Sequence, residues 1–153
     1  MKKVSKKIIF VGSDHRGFNL KSGIINFLVA KGYKVFDKGT YSKDSCDYPK
    51  IAYEVARAVA RNKKSAGILI CKTGIGNAIV ANKVKGVRAA LCYNIMAARL
   101  SRQHNDANVL VLGSDFINKK SLKTLITVWL STEFEGGRHK RRVNQISAIE
   151  KKS

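Results

Sequence analysis

The feature that most constrains the fold is the apolar run at residues 66–71, which leads into the turn Thr73-Gly74-Ile75-Gly76. Six consecutive residues without a polar side chain are typical of a strand buried on both faces. The turn behind it opens a helix that we predict to extend through Asn82. A strand, a Gly-rich turn and a helix in this order form the repeating unit of a parallel α/β sheet, which places ligands where strands end.

The same alternation recurs along the whole chain. We predict five strands, at residues 7–12, 33–37, 66–71, 88–92 and 108–112. Between and after them, apolar residues recur at helical spacing, as in Leu20, Ile24, Phe27 and Leu28, in Ile51, Val55 and Val59, and in Leu122, Leu125, Ile126 and Trp129. The pattern predicts one domain over residues 1–153, a Rossmann-like three-layer α/β/α fold with a five-stranded parallel sheet. A last basic helix carries Val143, Ile146 and Ile149, and we expect it to dock on a partner subunit.

Composition argues against membrane and disulfide-rich proteins, and it leaves open why the chain is so basic. No stretch approaches the roughly 20 apolar residues that cross a bilayer, so we expect no membrane association. Three widely spaced cysteines argue against a disulfide framework and favour the reducing cytoplasm. The net charge of +20 fits either a nucleic-acid binder or a Lys-rich solvated surface. Because Lys and Arg recur along the whole length, we favour the surface and expect no specific nucleic-acid partner.

Cys71 ends the central apolar strand and precedes a helix. Backbone N–H groups and the helix dipole would stabilise a thiolate there, although a strand end is also an ordinary place for a buried structural cysteine. The turn beyond Cys71 can present N–H groups to an oxyanion or phosphate. It is a poor dinucleotide fingerprint, because Ile79 stands where the third glycine belongs, and we expect no nicotinamide cofactor.

Other polar residues stand at predicted element ends. Asp14 and His15 follow the first strand and should reach the same sheet edge as Cys71, although Asp14 could simply cap a helix. His104 and Asn105 end a predicted helix, where a surface cap is the alternative. A zinc site from Cys71, His15 and His104 would lack any local ligand pair, so we expect no metal.

Two arginines of the last helix, Arg138 and Arg142, are four residues apart and therefore share one helix face. Such a pair could grip a phosphate dianion. The alternative is an exposed helix that is basic all round, since Lys140 and Arg141 lie between them.

Together with their flanking residues, these positions resemble ribose-5-phosphate isomerase type B, within the family that also holds galactose-6-phosphate isomerase subunits. The similarity covers nearly the whole chain. It rests on SDHRGF (13–18), DYP (47–49), GILICKTGIG (67–76), ANK (81–83), LSRQHNDANVLVLG (100–113) and EGGRHKRRV (135–143). The order and spacing of the six blocks are those of the family.

The resemblance implies an aldose–ketose isomerase of the pentose phosphate pathway that needs no metal or cofactor. It implies a homodimer, or a dimer of dimers, with active sites between subunits. Cys71 would be the base that moves a proton between C1 and C2, and Thr73 would support the enediolate oxygen. His104 would open the furanose ring with help from Asp14. Substrate contacts would come from His15, Tyr48, Lys72, Gly74, Ile75, Gly76, Asn105, Arg138 and Arg142, with His15 and the two arginines at the phosphate.

The chain departs from the family pattern at two positions. Lys72 replaces a glycine beside Cys71: if the backbone there needs a positive φ, lysine weakens the oxyanion site, whereas a nearby cation would lower the cysteine pKa. Asp115 replaces an arginine of the phosphate clamp. We therefore keep three alternatives open: a galactose-6-phosphate or other hexose-phosphate isomerase, a catalytically weakened homologue, and a basic nucleic-acid-binding module.

Overall fold

The structure is a computed structural model that describes residues 6–153. Its strands are β1 (Ile8–Ser13), β2 (Lys34–Asp37), β3 (Ser65–Cys71), β4 (Ala89–Leu91) and β5 (Val109–Gly113). Its helices are α1 (Phe18–Ala30), α2 (Tyr48–Arg61), α3 (Ile75–Ala81), α4 (Ile95–Asn105), α5 (Leu122–Ser131) and α6 (Arg138–Lys152). The elements and their order agree with the sequence-based prediction.

All five strands are parallel, in the spatial order β2-β1-β3-β5-β4. The central strand β3 is buried along its whole length, as its apolar run predicts. One apolar cluster joins one sheet face to α1, α4 and α5, and a second joins the other face to α2 and α3. The predicted five-stranded, three-layer α/β/α fold is therefore confirmed within the described residues.

The connections create a topological switch point between β1 and β3. Helix α1 follows β1 on one face of the sheet, whereas α3 follows β3 on the opposite face. The two strands pair directly, with Ser13 opposite Ile70. A crevice opens at the carboxyl ends of strands where successive helices diverge in this way, and open α/β sheets bind ligands there.

Helix α6 lies outside this core and packs on α4. Val143 and His139 are buried on the contacting face, while Ile146 and Ile149 are 42% and 65% exposed. The apolar stripe of the last helix is thus only partly covered by its own chain.

Candidate active site

Cys71 lies at the switch point, as the last residue of β3, and is 5% exposed. Its Sγ accepts a hydrogen bond from the backbone N–H of Gly74 at 3.1 Å. Burial raises the pKa of the Cys71 thiol. The N–H groups of Gly74 and Asn77 act in the opposite direction, and the Asp14 carboxylate adds to the rise. The N–H groups that the sequence predicts beside the sulfur are in place, but desolvation outweighs them and keeps the pKa above its ordinary value.

The turn after Cys71 is shaped by close contacts that only glycine permits. Gly74 has φ +82°, and a Cβ there would also collide with Leu91. A Cβ at Gly76 would collide with the ring of Tyr48, so the tyrosine lies directly against the turn. Within the turn, Thr73 Oγ1 accepts a hydrogen bond from the N–H of Ile75 at 3.2 Å. The turn thus places a hydroxyl, a ring and a row of N–H groups around the cysteine.

Tyr93 also contributes to this edge of the sheet, although sequence reasoning did not single it out. Its hydroxyl donates a hydrogen bond to the Thr73 carbonyl at 3.1 Å, and its ring packs on Phe116 with centroids 5.7 Å apart. The sequence does indicate this role in one respect: Tyr93 comes just after β4, where side chains reach the carboxyl edge of the sheet.

Asp14 and His15 follow β1 into the same crevice. Asp14 is 7% exposed and accepts the N–H of Gly17 at 3.1 Å. Gly17 is itself the N-cap of α1, so Asp14 binds the turn before the helix and does not cap the helix as the alternative expected. His15 Nδ1 accepts the backbone N–H of Cys46 at 3.2 Å. A neutral imidazole with Nδ1 as acceptor carries its proton on Nε2, so His15 can offer a donor toward the crevice.

The two departures from the family pattern lie next to each other. The N–H of Asp115 donates to the Lys72 carbonyl at 3.1 Å, and both side chains are exposed. Among the described residues other than glycine, only Asp106 has a positive φ, so the condition under which lysine would strain the backbone at position 72 is not met. Lys72 is also absent from the influences on the Cys71 pKa, so a lowered cysteine pKa is not what the lysine produces here.

A second group of candidate residues lies where α4 meets α6. The rings of His104 and His139 stack with centroids 4.1 Å apart and an angle of 7° between their planes. Desolvation, His104 and Arg138 lower the pKa of His139, and Glu135 opposes them. Asn105 is exposed at the end of α4, and both Arg138 and Arg142 are exposed on the first turns of α6. This group therefore combines an imidazole pair with the predicted arginine fork.

The chain bends sharply at Asp106, directly after Asn105, and two arginines hold this bend. Asp106 has φ +46°. Arg88 donates to the carbonyls of Asn105 and Asp106, each at 2.9 Å, and Arg102 donates to the Asp106 carboxylate at 3.0 Å. These contacts fix the chain exit from α4 and with it the placement of His104 and Asn105.

The group around Cys71 and the group around His104 lie at opposite edges of the sheet. Helix α4 runs antiparallel to the strands, so its last residues His104 and Asn105 stand at the amino edge, beside the start of β4 at Arg88. Cys71 stands at the carboxyl edge. At about 3.3 Å per residue, the seven residues of β3 span roughly 20 Å. One chain therefore does not bring His104, Asn105, Arg138 and Arg142 to Cys71, Thr73, Tyr48 and His15.

One cluster has metal-ligating side chains. His104, Glu135 and His139 hold their donor atoms within 4.8 Å of one another. Parallel stacked rings direct their nitrogen lone pairs side by side, whereas tetrahedral zinc needs donors that converge. The cluster is thus not shaped as a zinc site in this conformation, and the set Cys71, His15 and His104 is separated by the sheet.

In the part of the chain that the structure describes, no helix has the length and apolar character of a membrane span.

Comparison with known proteins gives a consistent result. The family model described as Ribose/Galactose Isomerase matches residues 9–146. Ribose-5-phosphate isomerase B of Escherichia coli (strain K12) is 50% identical over 147 residues, which cover 96% of this chain and 98% of that protein.

Solved structures agree in fold over nearly the whole chain. Ribose-5-phosphate isomerase B of Mycoplasma genitalium, solved with bound ribulose-5-phosphate, has a TM-score of 0.93 at 44% identity, covering 95% of this chain and 97% of that one. Ribose-5-phosphate isomerase B of Clostridium thermocellum has a TM-score of 0.92 at 49% identity, and the match covers 95% of this chain and 98% of that one.

Proposed function

The chain belongs to the Ribose/Galactose Isomerase family, and from that premise we propose that it interconverts ribose 5-phosphate and ribulose 5-phosphate as a single isomerase domain. The observation that carries the proposal is the position of Cys71 at the switch point, where its sulfur accepts a hydrogen bond from the N–H of Gly74. Relatives named ribose-5-phosphate isomerase B, one of them with ribulose-5-phosphate bound, support the pentose over a hexose phosphate.

The reaction needs a base that takes the proton from C2 of the open-chain aldose and returns it to C1 of the cis-enediolate. Cys71 performs this transfer. Its raised pKa makes the thiolate scarce at rest but a stronger proton acceptor once formed. The Thr73 hydroxyl and the N–H groups of Lys72, Gly74, Ile75 and Gly76 stabilise the developing enediolate oxygen. Tyr48, lying on Gly76, forms a wall of the sugar site.

His104 acts before this step, donating a proton to the ring oxygen while Asp14 accepts one from the anomeric hydroxyl. Asn105 holds the sugar hydroxyls. His15, Arg138 and Arg142 clamp the phosphate, which positions the reacting carbons. No metal or cofactor takes part, because both proton transfers use side chains of the chain itself.

These roles require two copies of the chain. A twofold axis that brings the amino-edge group of one subunit to the carboxyl edge of the other makes two complete sites at once. The exposed apolar residues on α4 and α6, Met96 at 61% and Ile149 at 65%, supply an apolar surface for that contact. We therefore infer a homodimer, alone or within a dimer of dimers, with α6 docked on the partner subunit.

The three unpaired cysteines suit the reducing cytoplasm, where we place the enzyme. The exposed Lys72, which needs no strained backbone, leaves the alternative of a catalytically weakened homologue without its main support. Nucleic-acid binding has no comparable observation in its favour, since the basic residues are distributed over the whole sequence.

The experiment that tests the proposal measures ribulose 5-phosphate formed from ribose 5-phosphate, with galactose 6-phosphate in parallel. Cys71→Ala should reduce kcat by about 10²–10⁴-fold, the usual contribution of a general base. Cys92→Ala is the matched control, because Cys92 is equally buried but lies in the core, and it should remain active. Turnover of the hexose phosphate alone would favour the alternative substrate, and an active Cys71→Ala would exclude this cysteine as the base.

A further inference from the structure

A cavity of about 340 Å³ lies at the amino edge of the sheet, on the opposite side from Cys71. It is bounded by the first residues of β3, the ends of α2 and α5, and the chain just after α4. Its charged and aromatic wall residues are Lys7, Lys63, Arg88, Arg102, Asp106 and Trp129. None of the assigned isomerase residues forms its wall.

The cavity has a surplus of positive charge. Four of the wall residues are cations and one is a carboxylate, Asp106. That carboxylate already binds both arginines, Arg88 at 3.2 Å and Arg102 at 3.0 Å. The two lysines therefore face the same space without a carboxylate of their own in the wall.

Lys7 lies in this wall, close to the charges of Arg102 and Asp106. Burial and then the positive charge of Arg102 lower the pKa of its ammonium group, and Asp106 offsets them only in part. A cation that is both desolvated and repelled by its neighbours gains stability from any anion that enters between them. The cavity is thus electrostatically prepared for a negative ligand.

Size and donor chemistry narrow the class of ligand. The volume falls at the lower end of the range of small-ligand sites, roughly 300–1,000 Å³. Arginine forks and lysine ammonium groups are the usual partners of phosphate, and a dianion matches the net positive wall better than a single carboxylate does. Arg102 also stacks on the Trp129 ring, 5.7 Å from its centroid, which keeps that guanidinium at the cavity wall.

We propose that this cavity binds a phosphate group, either inorganic phosphate or the phosphate of a small metabolite, at a site separate from the isomerase site. The inference does not depend on the proposed activity, because none of the residues assigned to the isomerase reaction lines the cavity, including those that share the amino edge.

Trp129 makes the proposal testable, since it is the one tryptophan of the sequence and it lines the cavity. Inorganic phosphate, titrated at constant ionic strength against sodium chloride, should change its fluorescence saturably. Lys7→Gln should weaken the apparent affinity by about tenfold or more, the usual effect of one charge-assisted hydrogen bond. Lys64→Gln is the matched control, because it removes the same charge beside Lys63 from outside the cavity wall. Equal weakening by both variants, or a response that does not saturate, would overturn the site.

Equilibrium dialysis with radiolabelled phosphate provides a readout independent of the tryptophan. The double variant Arg138→Gln/Arg142→Gln lacks both arginines of the proposed substrate clamp and should still bind one phosphate per chain, and adding Lys7→Gln should weaken that binding by about tenfold or more. Loss of all binding in the double variant would instead place the phosphate at the isomerase site alone. Ribose 5-phosphate titrated into the triple variant Cys71→Ala/Arg138→Gln/Arg142→Gln, and followed by Trp129 fluorescence, distinguishes the two sources. Tighter binding than inorganic phosphate indicates a metabolite, and weaker binding indicates free phosphate.

Discussion

At the scale of single residues, the sulfur of Cys71 is subject to opposed influences. Burial at the end of β3 disfavours the thiolate, while the N–H groups of Gly74 and Asn77 favour it, and burial prevails. Since the thiolate is the form that accepts a carbon-bound proton, the proposed mechanism depends on a group that is largely protonated at neutral pH.

This balance predicts a pH dependence. A raised pKa means that the thiolate fraction is small below the pKa and grows as pH rises, so kcat/KM should increase into the alkaline range. The ascending limb should lie above the pKa of about 8.5 of an unperturbed thiol. A pH profile of kcat/KM for ribose 5-phosphate measures it, with pH stability checked by assay after return to neutral pH. An ascending limb of kcat/KM centred well below about pH 8.5 would contradict a raised pKa of the Cys71 thiol.

Replacing Lys72 with the glycine of the family pattern should change turnover only slightly. Because its φ is not positive and its side chain is exposed, Lys72→Gly should leave kcat within about threefold, less than 1 kcal/mol in activation free energy. Gly74→Ala gives the contrast: at φ +82° and against Leu91 it should reduce both stability and turnover strongly. Steady-state kinetics and thermal unfolding measure the two effects. A large gain of turnover in Lys72→Gly would contradict this prediction and show that the lysine impairs the site.

Residue identities at the site are largely predictable from sequence, but their energetics are not. The short polar segments after β1 and β3 point to Asp14, His15 and Thr73 because strand ends can be located from apolar runs. The direction of the Cys71 pKa depends on how deeply neighbouring elements bury the sulfur, and Tyr93 reaches Thr73 from twenty positions away. Neither is encoded in local sequence.

At the scale of elements, apolar periodicity locates strands and helices to within about a residue or two wherever it is strong. It fails at the end of α4. The helical pattern itself covers about residues 96–102, and only the placement of His104 and Asn105 before the fifth strand indicates that the helix reaches Asn105. Residues 103–105 are polar and carry no periodic signal. Tertiary hydrogen bonds from Arg88 to the carbonyls of Asn105 and Asp106 stabilise this last turn, and the local bond from Arg102 to the Asp106 carboxylate adds to them.

Arg88 is therefore expected to act as a positioning residue for His104 and Asn105. Arg88→Gln should lower kcat by about tenfold or more, since small misplacements of catalytic groups are costly, with a loss of about 1–3 kcal/mol in the free energy of unfolding. Arg88→Lys should restore part of the turnover. Arg99→Gln, an exposed arginine on the same helix α4, is the control. Unchanged kcat in Arg88→Gln, despite lowered stability, would reduce Arg88 to a structural role.

At the scale of the whole molecule, the six sequence blocks that suggest one active site fold into two separate groups. Blocks that follow strands reach the carboxyl edge, and blocks that end or begin the helices α4 and α6 reach the amino edge. Sequence order alone does not reveal this division, because it follows from the antiparallel course of helices and strands in βα units. Association of two copies is the arrangement that reunites the groups.

Subunit complementation tests this account most directly. Neither Cys71→Ala nor His104→Gln should be active alone, but co-refolding them in equal amounts should restore about a quarter of wild-type activity, because half of random dimers are mixed and each contains one intact site. The control mixture pairs Cys71→Ala with the double variant Cys71→Ala/His104→Gln, in which no site is intact. Activity near a quarter of wild type would support a site shared between subunits. Mixed dimers, verified by differential tags, that are no more active than the control would contradict it.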